Sequence, residues 1–177
     1  MQDREPEPGD LLEDELAPLS HCQVCDLTCG ERLLLAGLRL WVARFRERRC
    51  GLHELLLLFE AYRLRPVAAG LHGLLLLTAY CASRSVEVRA RGALALSADE
   101  ARIIAAVACA QQQGAGAAAL LLGDWLPAGQ ARVAGAAAGE IAACCRDARL
   151  ALPIRPLTGL AAGDAAVALA ARPKLLH

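Results

Sequence analysis

The chain has 177 residues, a length that fits one domain with a hydrophobic core of its own. Its composition is 56% hydrophobic but only 3% aromatic. The core must therefore come mainly from leucine, valine and alanine, which suits close-packed helices better than sheets rich in β-branched residues. The formal net charge is zero, but acidic and basic residues are unevenly distributed along the chain.

The first segment, residues 1–18, is predicted to be a disordered acidic leader. Residues 1–20 contain seven acids and one arginine, a net charge of −6, whereas residues 32–49 contain six arginines and one glutamate, a net charge of +5. This separation indicates either that the leader lies on a basic helix face of the same chain or that this face binds another molecule. A helical domain is expected over residues 19–153 and a loosely structured C-terminal tail over residues 154–177.

The first helix is predicted to begin after Thr28, which stands three residues before Glu31 in a capping-box arrangement, and to continue to about residue 48. Its apolar set includes Trp41 and Phe45 and is spaced for one face. A second helix is expected over residues 52–64. An uncharged third helix follows over residues 67–82, and we predict it to be the central helix. The short links imply that these three helices are antiparallel neighbours.

Residues 85–97 alternate apolar and charged side chains, which predicts either a small β-hairpin or an irregular connector. A second capping box, Ser97 with Glu100, opens a fourth helix over residues 98–113. A short fifth helix is expected over residues 117–122 and a sixth over residues 129–150, and residues 157–177 could add one weak helix. The predicted fold class is all-α, a single-domain bundle of five to six helices.

Two uncharged stretches, residues 67–83 and 103–123, approach the length of a membrane span. The first is at the lower limit of about 17–25 residues, and the second has three glutamines and Gly114 at its centre. We therefore expect buried helices of a soluble protein that contacts no membrane. The N-terminus lacks the basic start and apolar run of a secretory signal, so the eight cysteines are expected to be reduced, in a cytoplasmic protein.

Three of these cysteines, Cys22, Cys25 and Cys29, lie close together beside His21. Cys29 is expected in the first turn of the first helix, where the positive end of the helix dipole favours the thiolate that binds metal or attacks a disulfide. The three sulfurs could hold zinc or an iron–sulfur cluster, with His21 or Cys109 as the fourth ligand. Cys109 reaches the same end of the bundle if the fourth helix runs parallel to the second. A redox-active thiol pair and ordinary metal-free thiols remain open as alternatives.

Other chemistry is sparse in this sequence. It contains neither a GxSxG nucleophile motif nor a P-loop. Asp99 and Glu100 are interpreted as helix-start charges rather than as a catalytic pair. His72 is interpreted as a core histidine, and Tyr80 is expected to close the core with its hydroxyl at the edge. No residue is therefore assigned a catalytic role.

The leading functional hypothesis is a small regulatory or adaptor protein that holds zinc or an iron–sulfur cluster through the cysteine cluster, with a metal-free state equally open. The first alternative is a thiol-redox sensor or enzyme that uses Cys25 and Cys29. The second is a metal-free helical scaffold for protein interactions. A protein partner is favoured over nucleic acid, because the helix that would read DNA after residues 96–111 has no arginine before Arg132. The oligomeric state is left open.

Overall fold

The computed structural model describes residues 23–156, and six α-helices make up most of this range. In chain order they are α1 (Cys29–Arg46), α2 (Leu52–Glu60), α3 (Arg65–Cys81), α4 (Ala98–Gln113), α5 (Ala115–Leu122) and α6 (Ala128–Asp147). A 3₁₀ turn, Val24–Asp26, precedes α1. No strand forms between residues 23 and 156, where β-pairing is limited to one antiparallel bridge between Gln23 and Ala95. The predicted all-α class is confirmed.

Two helices begin at the capping boxes that the sequence predicts. At the start of α1, the Glu31 amide donates to Thr28 Oγ1 at 3.3 Å and the Thr28 amide donates to Glu31 Oε2 at 2.7 Å. At the start of α4, the Glu100 amide donates to Ser97 Oγ at 3.1 Å and the Ser97 amide donates to Glu100 Oε2 at 2.9 Å. Each pair satisfies two backbone donors that the first turn would leave without partners, so the local sequence sets both starting points.

The two capping-box glutamates are also buried ion-pair partners. Glu100 Oε1 accepts from Arg39 Nε at 2.7 Å, and Glu31 Oε1 accepts from Arg155 Nε at 3.0 Å. Neither glutamate side chain is exposed to solvent. Because a buried carboxylate without a cation carries a large desolvation cost, these pairs fix α4 and the C-terminal segment against α1.

Of the two predicted alternatives for the segment before α4, the structure forms the irregular connector, residues 82–97. Its backbone groups bond to side chains of the neighbouring helices instead of to a second strand. Arg39 Nη2 donates to the Ala95 carbonyl at 2.9 Å, and Asp99 Oδ2 accepts from the Glu87 amide at 2.7 Å. The ordered path of the connector therefore depends on charged residues of α1 and α4.

The central helix is α4, and the prediction that the third helix is central is wrong. Twelve consecutive residues of α4, from Asp99 to Ala110, are buried, and α4 packs against α1, α5 and α6. In α3 the buried residues form one stripe, and Tyr80 near its end is 75% exposed. Alanine lets neighbouring helices approach α4 from all sides, whereas the leucines of α3 fill one face.

Two glycines shape the packing of the last three helices. Gly114 has a φ of 95° and separates α4 from α5, so residues 103–123 form two helices instead of one. A Cβ at Gly135 would lie 2.6 Å from the Ala115 carbonyl oxygen, so α6 approaches α5 at a distance that only glycine permits. Within residues 23–156, no helix is long and apolar enough to cross a membrane.

Helices α1 and α4 run in opposite directions. The Arg39–Glu100 ion pair places the start of α4 beside the middle of α1. Near the end of α4, Gln112 Nε2 donates to the Leu152 carbonyl at 2.9 Å, and Leu152 packs against Gly30 in the first turn of α1. Since α2 also returns along α1 after a short link, α4 is parallel to α2, the orientation required to bring Cys109 towards the start of α1.

After α6 the chain crosses back to the start of α1. Leu152 is 1% exposed, and its amide donates to Gln111 Oε1 at 2.9 Å. The predicted C-terminal tail begins at residue 154, and Arg155 within it is held by Glu31. The rest of that tail, residues 157–177, and the predicted leader lie outside the described residues, so the domain boundaries stay predictions.

Candidate functional site

The predicted metal ligands fall only partly within the described residues. Cys22 and His21 lie outside them. Cys25 is exposed in the 3₁₀ turn, and Cys29 is the exposed first residue of α1, as the capping box predicts. Cys109 is buried in α4, and this burial raises the pKa of its thiol. The raised pKa opposes the thiolate form that a metal ion requires.

No metal site is assembled among residues 23–156, since no three cysteine, histidine or acidic side chains there are placed to hold an ion. The metal hypothesis depends on two residues outside this range and stays a prediction. Cys25 and Cys29 are its accessible members. Of the other thiols, Cys145 is buried, and burial together with the neighbouring Cys144 raises its pKa to about 11.

A different site lies at the other end of α1, where the helix meets the α1–α2 link and α3. A groove of about 730 Å³ opens there, and we call it the arginine–aromatic groove. Its lining residues are Trp41, Phe45, Arg46, Arg48, Arg49, Cys50, Gly51, His72, Leu76 and Tyr80. An adjoining cleft of about 650 Å³ shares Trp41, Phe45 and Arg46 with the groove and continues towards the connector.

Aromatic side chains form the floor of the groove and part of its rim. Trp41 and Phe45, one turn apart on α1, stack with ring centroids 4.9 Å apart. Tyr80 of α3 meets Phe45 edge to face at 5.9 Å. Tyr80 is 75% exposed, so it presents an aromatic surface to solvent instead of closing the core as predicted. An apolar anchor that enters the groove would contact these rings.

His72 fixes the inner edge of this floor. Trp41 Nε1 donates to His72 Nδ1 at 2.8 Å, so the proton of the neutral imidazole is on Nε2. Burial lowers the pKa of His72 and favours this neutral form. His72 is hydrogen-bonded, but it is half-buried at the groove instead of in the core as predicted. The floor of the groove carries no charge at neutral pH.

Arginines lie around the aromatic floor at this end of α1, and carboxylates within residues 23–156 compensate only part of their charge. Arg44 lies 2.9 Å from Glu47 Oε2 and 2.9 Å from Glu54 Oε1, whereas Arg49 approaches the same two carboxylates only to 3.9 Å. A further guanidinium, that of Arg46, donates to the Val88 carbonyl at 3.1 Å. Arg48, the next arginine of the rim, has no carboxylate partner within residues 23–156.

That arginine, Arg48, also occupies an unusual backbone position. Its φ is 58°, the left-handed conformation that favours glycine. The Arg49 amide donates to the Arg44 carbonyl at 2.9 Å and the Arg48 amide to the Phe45 carbonyl at 3.0 Å, which closes α1 in a Schellman motif. The turn directs the chain back towards α2 and places the Arg48 side chain at the rim of the groove.

Sequence reasoning found the ingredients of this groove but not the groove. It placed Trp41 and Phe45 on the apolar face of α1 and identified a basic stretch over residues 32–49. The available signal was the run of arginines directly after Phe45, at the point where the helix has to turn. The missing information was that α3 brings His72 and Tyr80 to the same place.

No protein-family model matches the chain, and no curated protein and no solved structure matches it significantly. The chemistry of the site must therefore be judged from its own residues. The acids next to the connector are engaged in structure, since Asp99 binds Arg84 at 2.7 Å and Glu100 binds Arg39. The arginine–aromatic groove joins accessible positive charge to an apolar floor, a combination suited to binding.

Proposed function

We propose that this protein is a non-enzymatic helical interaction module whose arginine–aromatic groove binds an acidic segment of a partner protein that also carries apolar anchors. The observation that carries the proposal is that the exposed Tyr80 ring lines the groove together with Arg48, which has no carboxylate partner within residues 23–156. Aromatic rings accept an aliphatic or aromatic side chain, and a guanidinium binds a carboxylate through paired hydrogen bonds.

The charge of the groove favours a peptide over a nucleic acid. Three arginines (residues 46, 48 and 49) line the groove, and counting the neighbouring Arg44 and two glutamates (residues 47 and 54) leaves a local charge of +2 around it. Nucleic-acid binding depends on an extended row of cations that contacts many phosphates. Two excess charges over an aromatic floor fit a short segment with a few carboxylates and one or two apolar side chains.

A synthetic peptide of glutamate and leucine provides the test, with a peptide of glutamine and leucine as its control. The readout is nuclear magnetic resonance of the two indole N–H groups, because the chain has only two tryptophans. Trp41 lies in the groove, whereas Trp125 is buried elsewhere beneath the guanidiniums of Arg84 and Arg102. The glutamate peptide is expected to shift the Trp41 signal and leave the Trp125 signal unchanged.

A matched pair of variants completes this test. Arg48→Gln should weaken the glutamate peptide about fivefold, since one charge-assisted contact contributes about 1 kcal/mol at an exposed site. Arg63→Gln should have no effect, because Arg63 has the same backbone conformation at the end of α2 but lies outside the groove. Equal binding of the two peptides, or an equal effect of the two variants, would exclude the groove as the binding site.

A further inference from the structure

The chain itself contains a segment with the chemistry that the groove fits. Residues 1–20 carry a net charge of −6, and leucines flank the run of acids in their second half. These leucines are Leu11, Leu12, Leu16 and Leu19. Resting on the proposed function, we infer that this leader binds in the arginine–aromatic groove of its own chain and competes there with the partner segment.

The point at which the leader joins the helical domain is close enough for this contact. Gln23 pairs with Ala95, whose carbonyl accepts from Arg39 Nη2 at 2.9 Å, so the described chain begins beside the middle of α1. From Arg39 to Arg48 is about 14 Å along the helix at 1.5 Å per residue, and the helix is about 10–12 Å across. The path from Gln23 along and across the helix to Arg48 is therefore about 25 Å.

The leader is long enough to cover this distance. Asp14 lies nine residue steps before Gln23, and nine steps of extended chain span up to about 30 Å. The central acids, Glu13 to Glu15, can therefore reach the guanidinium of Arg48 while Leu11 and Leu12 reach the aromatic floor. The connector, residues 82–97, runs from the bridge with Gln23 to the groove, because Arg46 at the groove donates to the Val88 carbonyl at 3.1 Å. The leader can follow the connector to the groove.

Tethering makes even a weak contact effective. A segment joined to its site by a short flexible chain has an effective concentration of about 1 mM. If the free leader bound the groove with a dissociation constant of about 0.1 mM, the tethered leader would weaken an external peptide about tenfold. The charges are complementary, −6 on the leader against +2 around the groove, so this competition should decrease as salt screens the attraction.

The test compares the full-length chain with a full-length variant in which all seven leader acids become amides (Asp→Asn and Glu→Gln). The variant should bind the glutamate–leucine peptide about tenfold more tightly, and its Trp41 indole signal should differ from wild type before peptide is added. The matched control carries Glu140→Gln and Asp147→Asn, two exposed acids of α6 outside the groove. This control should behave as wild type.

The outcomes separate the two proposals. If both chains bind the peptide with the same affinity and show the same Trp41 signal, the leader does not occupy the groove, while the proposed function stands. If neither chain binds the peptide, the proposed function fails. If the variant binds more tightly but Arg48→Gln does not weaken that binding, the peptide and the leader meet at another surface, and both the groove as the binding site and the inference are overturned.

Discussion

Replacing Arg48 with glycine is expected to stabilise the fold while it weakens binding. With a φ of 58°, Arg48 has a left-handed conformation that costs a residue with a Cβ about 1–2 kcal/mol relative to glycine. Glycine loses about 0.5–1 kcal/mol of this advantage through the greater freedom of the unfolded chain. Because Arg48 forms no ion pair within residues 23–156, the expected net gain in the free energy of unfolding is about 0.5–1 kcal/mol when it is measured in the chain whose seven leader acids are amides, where no leader contact with Arg48 can be lost.

Urea unfolding followed by tryptophan fluorescence measures this gain as a higher transition midpoint with an unchanged slope. Arg63→Gly is the matched control, because Arg63 has a φ of 57° in an equivalent motif after α2. Both variants should gain stability, but only Arg48→Gly should lose affinity for the glutamate–leucine peptide. A loss of stability confined to Arg48→Gly would refute the reasoning, because it would mean that this side chain makes a stabilising contact in the fold.

Three further predictions concern the rest of the chain. Burial raises the pKa of Asp99, but bonds from Arg84 and the Glu87 amide outweigh it and hold the pKa below its usual value. Asp99 should therefore contribute stability above about pH 4 that is lost at lower pH. In the Asp99→Asn variant, the urea midpoint should decrease less between pH 5 and pH 3 than it does in the wild type. Gly135→Ala should destabilise α6 packing by about 1–3 kcal/mol, and an unchanged urea midpoint would contradict the close approach. If the cysteine cluster holds a metal, chelator-free protein should contain stoichiometric zinc or iron, which Cys29→Ser should reduce; a metal-free protein would refute this hypothesis.

The helices of this protein could be predicted from local signals. Thr28 with Glu31 and Ser97 with Glu100 carry the information for two helix starts in four residues each, since a capping box acts within one turn. The predicted ends of the helices were less accurate than the predicted starts. The first two helices end two and four residues before their predicted limits, because arginines replace the glycine that usually marks a left-handed C-terminal turn.

The candidate site divides in the same way between local and long-range information. The sequence determined the accessibility of Cys29 at a helix start and the separation of an acidic leader from a basic helix, because both follow from neighbours in the chain. Only the tertiary structure decided that α4 is central and that His72 and Tyr80 complete a groove with Trp41 and Arg48. Residues about thirty positions apart in sequence meet there because α3 packs beside α1, and helical periodicity gives the face of each helix but not its neighbour.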